Sequence, residues 1–389
     1  MINTQLLEPA WNISINGIPL SESRRLLVSE ISFEEKLTYT SKVEIAIGGG
    51  LGFDFSLDDI PLEGEMSLTM GWDNDEVELF NGQLVEPTPD FRSGRASVLT
   101  LTAYDRSYLL KKYRWPPEVY AKGNMLEIVR SILAKYKSPD FGLDYVIDPR
   151  SKIRDYALTD VESGFRFGEQ TDWEFLSLIA KSNDLMLLVR GETVYVVNRD
   201  YFQQPTVSSA ATTPSVELNF YYNPLREQED DQRGALLYHF RPRYRALEQK
   251  EKVELAAWHS VDAKGKRRGG GSGLTEERGL MNYTKLRVNT KKSETLVIHG
   301  TAAMTNAAAT ILAQAEIEKR ARKLIDGQGS IKGWPFVRLG QKHNFVINDL
   351  HKIGTAFSGE YFISGTEHTW SRESGYRTSI DVERKSLSE

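Results

Sequence analysis

Two segments near opposite ends of the chain alternate apolar and polar residues beside a glycine turn. In residues 365–384 the turn is Ser374-Gly375, and the outgoing strand places every second residue on one face: Tyr376, Thr378, Ile380 and Val382. Residues 82–106 turn at Ser93-Gly94 and alternate apolar residues with threonines. Such period-two alternation is typical of a half-buried antiparallel hairpin. The pattern alone fits a duplicated β domain and two unrelated hairpins equally well.

Similar alternation runs through residues 11–105 and predicts further strands. The apolar positions of two of them are Val43, Ile45 and Ile47, and Met66, Leu68 and Met70. Turns are predicted at residues 48–50, at Asp73-Asn74 and at Asn81-Gly82, the last because Asn-Gly is a strong signal for a tight hairpin. The first hundred residues are therefore expected to form a β domain.

Helical spacing replaces this alternation in the middle of the chain. Apolar residues recur at i, i+3, i+4 and i+7 over residues 124–137, which predicts an amphipathic helix. A second helix starts at Thr171, where Glu174 has the spacing of a capping box. Residues 185–197 then predict a hairpin that turns near Arg190-Gly191. Together these elements indicate a small α+β insert between two β regions.

The predicted fold class is mainly β (α+β), with two related barrel-like domains that flank the insert. The second β domain is expected to carry one long helix over about residues 305–325, with Leu324 and Ile325 among its buried positions and Gly327 as its stop. An acidic loop at Glu227–Asp231 follows a polar linker. The predicted boundaries are 1–106 for the first β domain, 107–203 for the insert, 204–233 for the linker and acidic loop, and 234–389 for the second β domain.

Composition narrows the class of protein. The chain has 389 residues, enough for two or three domains, of which 40% are hydrophobic and 26% charged. A net charge of −5 argues against specific nucleic-acid binding and against electrostatic binding of the whole protein to anionic lipid. Without cysteine there are no disulfides, thiolate metal sites or cysteine nucleophiles. The N-terminus lacks a secretory signal and no apolar run approaches ~18 residues, so we expect no membrane anchor.

Signals for catalysis or ligand binding are weak. The six histidines form no metal-ligand spacing, and we interpret His368 as a structural or surface residue. The glycines at residues 48–52 lack the spacing of a P-loop or a dinucleotide fingerprint, which favours a flexible turn. The basic run Lys264–Arg268 could contact DNA or an acidic partner, but its flanking glycines favour a solvated loop tip. We expect no catalytic residue, no metal and no cofactor.

The ordered set of segments resembles a known family. The order is a β domain, an α+β insert, and a β domain with one long helix. It resembles the phage late control protein D family, the central baseplate hub of contractile tails, and is similar to the N-terminal half of type VI secretion spike proteins. The resemblance covers nearly the whole chain, and the segments that carry it are residues 124–136, 170–197, 240–249, 256–267 and 361–384.

The resemblance implies a homotrimer in which each subunit carries two related tube domains. Three subunits would present a pseudo-sixfold ring that joins a hexameric tail tube to a trimeric spike. It also implies contacts with other baseplate proteins and the tape measure protein, in a virion tail or injection-system baseplate assembled in the bacterial cytoplasm. No OB domain or β-helix precedes Glu389, so the spike is expected to be a separate polypeptide.

The two hairpin turns are the predicted interface. Phe91 and Trp370 stand just before them, where an aromatic side chain would either anchor an interface or plug a barrel end. The candidate interface residues are Phe91, Arg92, Ser93, Gly94, Trp370, Ser374, Gly375 and Tyr376.

Two other functions compete with this structural, non-enzymatic role. A baseplate-associated cell-wall hydrolase would require a credible catalytic constellation in an inserted domain. A carbohydrate-binding tail-tip module would require clustered exposed aromatics on one β face. The sequence shows neither feature clearly.

Overall fold

The computed structural model describes most of the chain and leaves gaps between the described segments. The described residues are 8–48, 60–73, 75–91, 93–94, 96–112, 119–120, 125–150, 165–166, 170–203, 219–222, 235–245, 252–260, 274–282, 295–301, 315–348 and 353–387. The acidic loop Glu227–Asp231 and the basic run Lys264–Arg268 lie outside them.

The N-terminal part consists of strands and one short helix. Its elements are β1 (Pro9–Ile15), β2 (Ile18–Pro19), α1 (Glu22–Arg25), β3 (Val28–Lys36), β4 (Lys42–Gly48), β5 (Glu65–Trp72), β6 (Asp75–Asp90) and β7 (Val98–Asp105).

The insert contains helices and short strands. Its elements are α2 (Ser107–Lys112), β8 (Val119–Tyr120), α3 (Met125–Lys135), β9 (Asp144–Ile147), β10 (Phe165–Arg166), α4 (Asp172–Ser182), β11 (Met186–Arg190), β12 (Thr193–Val197) and a 3₁₀ turn (Tyr201–Gln203).

The C-terminal part is again rich in strands. Its elements are β13 (Asn219–Tyr222), β14 (Ala235–Tyr244), β15 (Lys252–Ser260), β16 (Leu274–Asn282), β17 (Thr295–Thr301), α5 (residues 315–322), β18 (Ile325–Lys332), β19 (Lys342–Ile347), α6 (Ile353–Phe357), β20 (Gly359–Ser371) and β21 (Gly375–Arg384).

One sheet of 13 strands runs through both β parts. Six of its strands form a circle in the order β13-β19-β20-β21-β18-β14. The circle is a closed barrel because β19 pairs with β20, and β13 pairs with both β19 and β14. The sheet continues from β20 to β3 and on through β4, β7, β6, β5, β1 and β2. The prediction of a mainly β fold is confirmed.

The two halves of this sheet share a strand order. Reading outward from the first strand, the N-terminal half has the order β1-β5-β6-β7-β4-β3, and the barrel has β13-β19-β20-β21-β18-β14. They differ at the first strand, since β1 is antiparallel to β5, whereas β13 is parallel to β19 and β14. In the described N-terminal half, β3 pairs with β20 of the barrel, and no pairing joins it to β1.

Separate hydrophobic cores fill the two halves and the insert. The core of the N-terminal half includes Ile31, Phe33, Ile45, Met66 and Leu101. The barrel core includes Phe220, Ile331, Phe345, Tyr361 and Ile380. In the insert, α3 and α4 pack on the β11–β12 hairpin and bury Ile132, Tyr136, Trp173, Leu176 and Leu187. A smaller cluster joins insert to barrel through Met186, Leu188, Tyr195, Val197, Phe202 and Leu339.

Local predictions for the insert are confirmed where the structure describes them. Thr171 caps α4 with its hydroxyl, which accepts from the Glu174 backbone N–H, while the Glu174 carboxylate accepts from the Thr171 N–H. This reciprocal pair is the predicted capping box. The β11–β12 hairpin turns after Arg190, where Gly191 has a φ of 55°.

The predicted end of the long helix is wrong. Helix α5 is described only over residues 315–322, and Ile325 already begins β18. Gly327 lies inside that strand, where an added Cβ would approach the Pro242 Cα to 3.0 Å. The lack of a side chain at Gly327 therefore lets the neighbouring strand pass closely. A sequence pattern cannot distinguish a glycine in this role from a glycine that ends a helix. Residues 305–314 lie outside the described part.

The predicted turn at Asn81-Gly82 is also wrong. Strand β6 passes straight through these residues, and Gly82 pairs with Met66 on one side and Asp105 on the other. A Cβ at Gly82 would lie 2.2 Å from the Tyr104 carbonyl oxygen. The Asn-Gly pair thus marks a close approach of backbones within the sheet instead of a hairpin.

Candidate functional site

The two hairpin tips named by the sequence lie at one end of the continuous sheet. The β20–β21 turn follows Ser371, which pairs with Glu30 of β3. The β6–β7 turn follows Asp90, which pairs with Val98 of β7. Strands β3 and β4 separate the two hairpins, and β4 pairs with both β3 and β7. From β20 to β7 the distance across the sheet is about 14 Å, at ~4.8 Å per strand.

The β6–β7 tip is exposed. Phe91 has 77% of its surface accessible, an unusual exposure for a phenylalanine. Ser93 and Gly94 are exposed beside it, and Gly94 has a φ of 78°. Arg92, the fourth candidate at this tip, lies outside the described residues. The tip therefore offers one large apolar side chain to solvent.

The β20–β21 tip presents polar groups and holds its aromatics further in. Ser374 is exposed, and its backbone N–H donates to the Ser371 hydroxyl at 3.0 Å. Trp370 is half-buried against Trp11, with ring centroids 5.1 Å apart. Gly375 has a φ of 67°. Tyr376 is only 3% exposed and belongs to the core of the N-terminal half, so its burial comes from the fold of a single chain.

A buried ionic junction, which sequence reasoning missed, joins the three parts of the chain. Glu35 of β3 is 2% exposed and accepts two hydrogen bonds from Arg338, from Nε to Oε2 at 2.7 Å and from Nη2 to Oε1 at 2.6 Å. Arg190, at the end of β11, places its Nε 3.6 Å from Glu35 Oε1. Its Nη2 donates to the Leu339 carbonyl at 2.7 Å. One carboxylate of the N-terminal half thus contacts both the insert and the C-terminal part.

The electrostatics of the junction keep all three groups ionised at neutral pH. Burial by itself would raise the pKa of Glu35, but Arg338 and Arg190 together hold it at about 2. Burial opposes the charge of Arg338 as well, yet Glu35 raises the pKa of that guanidinium above its ordinary value. Desolvation lowers the pKa of Arg190 to about 10, which still leaves it charged at pH 7. The bidentate geometry offsets the cost of burying these charges.

His368 extends the junction through neutral hydrogen bonds. It is fully buried, and its Nε2 donates to the Val337 carbonyl at 3.0 Å. Nδ1 is then the acceptor of the neutral ring and lies 2.9 Å from the Tyr376 hydroxyl. Burial, followed by the charge of Arg338, lowers the pKa of His368 to about 3. Of the two roles that the sequence left open, the structural one is correct.

The buried groups of this junction hold the three parts of the chain in position. Within the described ranges, no three His, Asp or Glu side chains lie close enough together to hold a metal ion. The signal that could have revealed the junction is the position of Glu35, which continues the core-facing row of Ile31 and Phe33. An acid on an apolar face requires a buried partner. Arg338 is 303 positions away in sequence, so the pattern could not name it.

The fold is shared with solved tail proteins. The 43 kDa tail protein of prophage MuSo2 from Shewanella oneidensis matches with a TM-score of 0.62 and 13% identity, over 98% of this chain and 100% of that one. The tail protein from Neisseria meningitidis MC58 matches with a TM-score of 0.62 and 12% identity, over 97% of this chain and 96% of that one. The chain has the fold of phage tail proteins. The resemblance inferred from the sequence is thereby confirmed at the level of fold.

A type VI secretion component shares the fold more distantly. The E. coli c3393 protein, described as structurally similar to the T4 tail proteins gp27 and gp5, matches with a TM-score of 0.50 and 11% identity, over 95% of this chain and 76% of that one. No protein-family model and no curated protein matches the sequence. In the described part of the chain, no helix is both long and apolar enough to cross a membrane.

Proposed function

We propose that the chain is a structural hub subunit of a contractile-tail or injection-system baseplate, where it adapts a hexameric tube to a trimeric spike. The observation that carries this proposal is the shared strand order of the two sheet halves within one tail-protein fold. Two like units in each of three subunits give six like units, which match a sixfold ring without breaking subunit symmetry.

The two halves would act as the two tube domains of the hub. The β20–β3 ladder and the Glu35–Arg338 pair fix their relative orientation, which a ring of defined diameter requires. The hairpin tips at one end of the sheet would supply the interface, with Phe91 as an apolar anchor. Partners of this role are a tail tube protein, a separate spike, other baseplate proteins and a tape measure protein.

The assembled particle tests the adaptor role. The hub proposal expects three copies of the chain at the tube–spike junction, with six like β units around one channel. Imaging of particles that carry a tag on this chain, together with native mass measurement of the purified protein, counts the copies. One copy or six copies at the junction would contradict the proposal.

A structural role also predicts no intrinsic hydrolysis of cell wall. Purified protein incubated with peptidoglycan should leave the turbidity unchanged. The control is a lysozyme reaction under the same conditions. Clearing that survives repurification and disappears on substitution of a single carboxylate would instead establish a hydrolase.

A further inference from the structure

The small sheet of β15, β16 and β17 has no counterpart in the first half of the large sheet. By the shared strand order, β14 corresponds to β3 and β18 corresponds to β4. Residues 37–41 alone join β3 to β4, whereas β15, β16, β17 and α5 lie between β14 and β18. Three copies of the chain would therefore present six like sheet halves but only three of these small sheets. An element present once per chain suits the threefold side of the proposed hub.

The small sheet has two free edges in the part of the chain that the structure describes. Its strand order is β16-β15-β17, with β15 in the centre. Strand β15 pairs with β16 in the antiparallel direction and with β17 in the parallel direction. No described strand pairs with the outer edge of β16 or of β17. The backbone N–H and C=O groups of such edges are a template for pairing with another strand.

The sequence of β17 leaves its edge unprotected. Leu296, Val297 and Ile298 lie in its middle, and the strand contains no proline, acid, lysine or arginine. Elsewhere the chain protects a free edge. The end of β6 pairs only with β7 among the described strands, and it carries Pro87 and Pro89, which have no N–H to offer to a further strand. The contrast indicates that another strand covers β17 in the assembled protein.

We propose that β17 of one copy pairs with β16 of the next copy, so that three copies close a barrel around the threefold axis. This contact rests on the hub function proposed above. Three strands from each of three copies make a barrel of nine strands. Closed barrels of about eight strands have an interior that side chains fill, so a ring of this size is a packed structure. Closure pairs both edges of every copy.

Strand direction and charge favour the pairing of β16 with β17. Rotation about an axis along the strands keeps their directions, so β17 meets the β16 of its neighbour as an antiparallel pair. Strand β16 carries the adjacent acids Glu276 and Glu277. Two paired β16 edges would bring the acids of two copies together, whereas β17 carries no acid.

Engineered disulfides test this contact on the full chain, which contains no cysteine of its own. Ile298→Cys, in the middle of β17, is combined in turn with a cysteine substitution at each of the nine positions of β16. Within one chain β15 separates the two strands by about 10 Å, beyond the ~7 Å between Cα atoms that a disulfide can span. Mild oxidation should therefore link different copies, and the variant with the correct register should run as a covalent trimer on a non-reducing gel.

The matched controls are the single-cysteine variants and the combination of Ile298→Cys with Lys42→Cys on β4. None of them should give a covalent trimer. A covalent dimer from Ile298→Cys alone would show that two β17 edges pair with each other, and it would overturn the proposal. The absence of a covalent trimer from all nine double variants, or an equal yield in the Lys42 control, would also overturn it.

Failure of this contact is distinguishable from failure of the hub function, which the copy number in the particle decides. Three copies at the tube–spike junction without any cross-link would retain the hub and exclude the pairing of β16 with β17. One copy or six copies would exclude the hub itself.

Discussion

At the scale of single residues, Glu35 of the N-terminal half pairs with an arginine of the insert and an arginine of the C-terminal part. Replacing it with glutamine leaves two arginines buried without their carboxylate. We expect Glu35→Gln to reduce the free energy of unfolding by about 3–5 kcal/mol, as for other broken buried ion pairs. Urea denaturation of the variant and the unsubstituted chain measures this difference in the free energy of unfolding. The neighbouring Glu34, half-buried and paired with the exposed Lys36, provides the matched control, and Glu34→Gln should change stability by under about 1 kcal/mol.

His368 gives the fold a dependence on pH. Its pKa falls from 6.5 to about 3 on folding, so the unfolded chain binds a proton that the folded chain rejects. The contribution of the neutral His368 ring to the free energy of unfolding is complete above pH 6.5 and is lost as the pH falls from 6.5 towards 3. Between pH 6 and 4, His368→Phe should therefore flatten the dependence of unfolding free energy on pH by about 1.4 kcal/mol per unit. Equal slopes in the two proteins would show that His368 binds its proton as readily in the folded chain as in the unfolded chain.

At the scale of elements, the two hairpin tips depend on glycines in a left-handed conformation. Gly94 and Gly375 have φ values of 78° and 67°, and apart from their chain neighbours no described residue has an atom within 4 Å of an added Cβ at either position. The cost of a side chain there is backbone strain alone. Gly94→Val and Gly375→Val should each destabilise by about 1–3 kcal/mol in chemical denaturation. Asparagine, which tolerates this conformation, should cost less at both sites, and unequal valine effects would argue against equivalent turns.

Periodicity predicted elements best where one face of an element is buried. The strand with Val43, Ile45 and Ile47 and the capping box at Thr171 both formed as expected, because local alternation and local caps determine them. The sequence predicts a turn at Gly82 and a helix stop at Gly327, but both glycines lie inside strands where a neighbouring strand passes closely. Such contacts join distant segments, as does the Glu35–Arg338 pair, and no local pattern contains them.

At the scale of the whole molecule, Phe91 is the clearest test of assembly. Its side chain is 77% exposed, so its loss should leave the stability of the single chain within about 0.5 kcal/mol. If the tip is an interface, Phe91→Ala should weaken self-association by about tenfold or more in analytical ultracentrifugation. Ile353, 65% exposed on α6, supplies the control, because Ile353→Ala removes similar apolar surface away from the tips. Equal effects of the two substitutions would exclude the tip from the contact.

The ladder between β20 and β3 has a mechanical consequence. Seven residue pairs, from Gly365–Lys36 to Ser371–Glu30, connect the two halves side by side. A pull directed along these strands loads every rung of the ladder at the same time, whereas a pull across them opens one rung after another. The chain should consequently be stiff against sliding of one half past the other and weaker against peeling. In a particle that contracts along one axis, the direction of the strands relative to that axis would decide whether the chain transmits the force or its two halves separate.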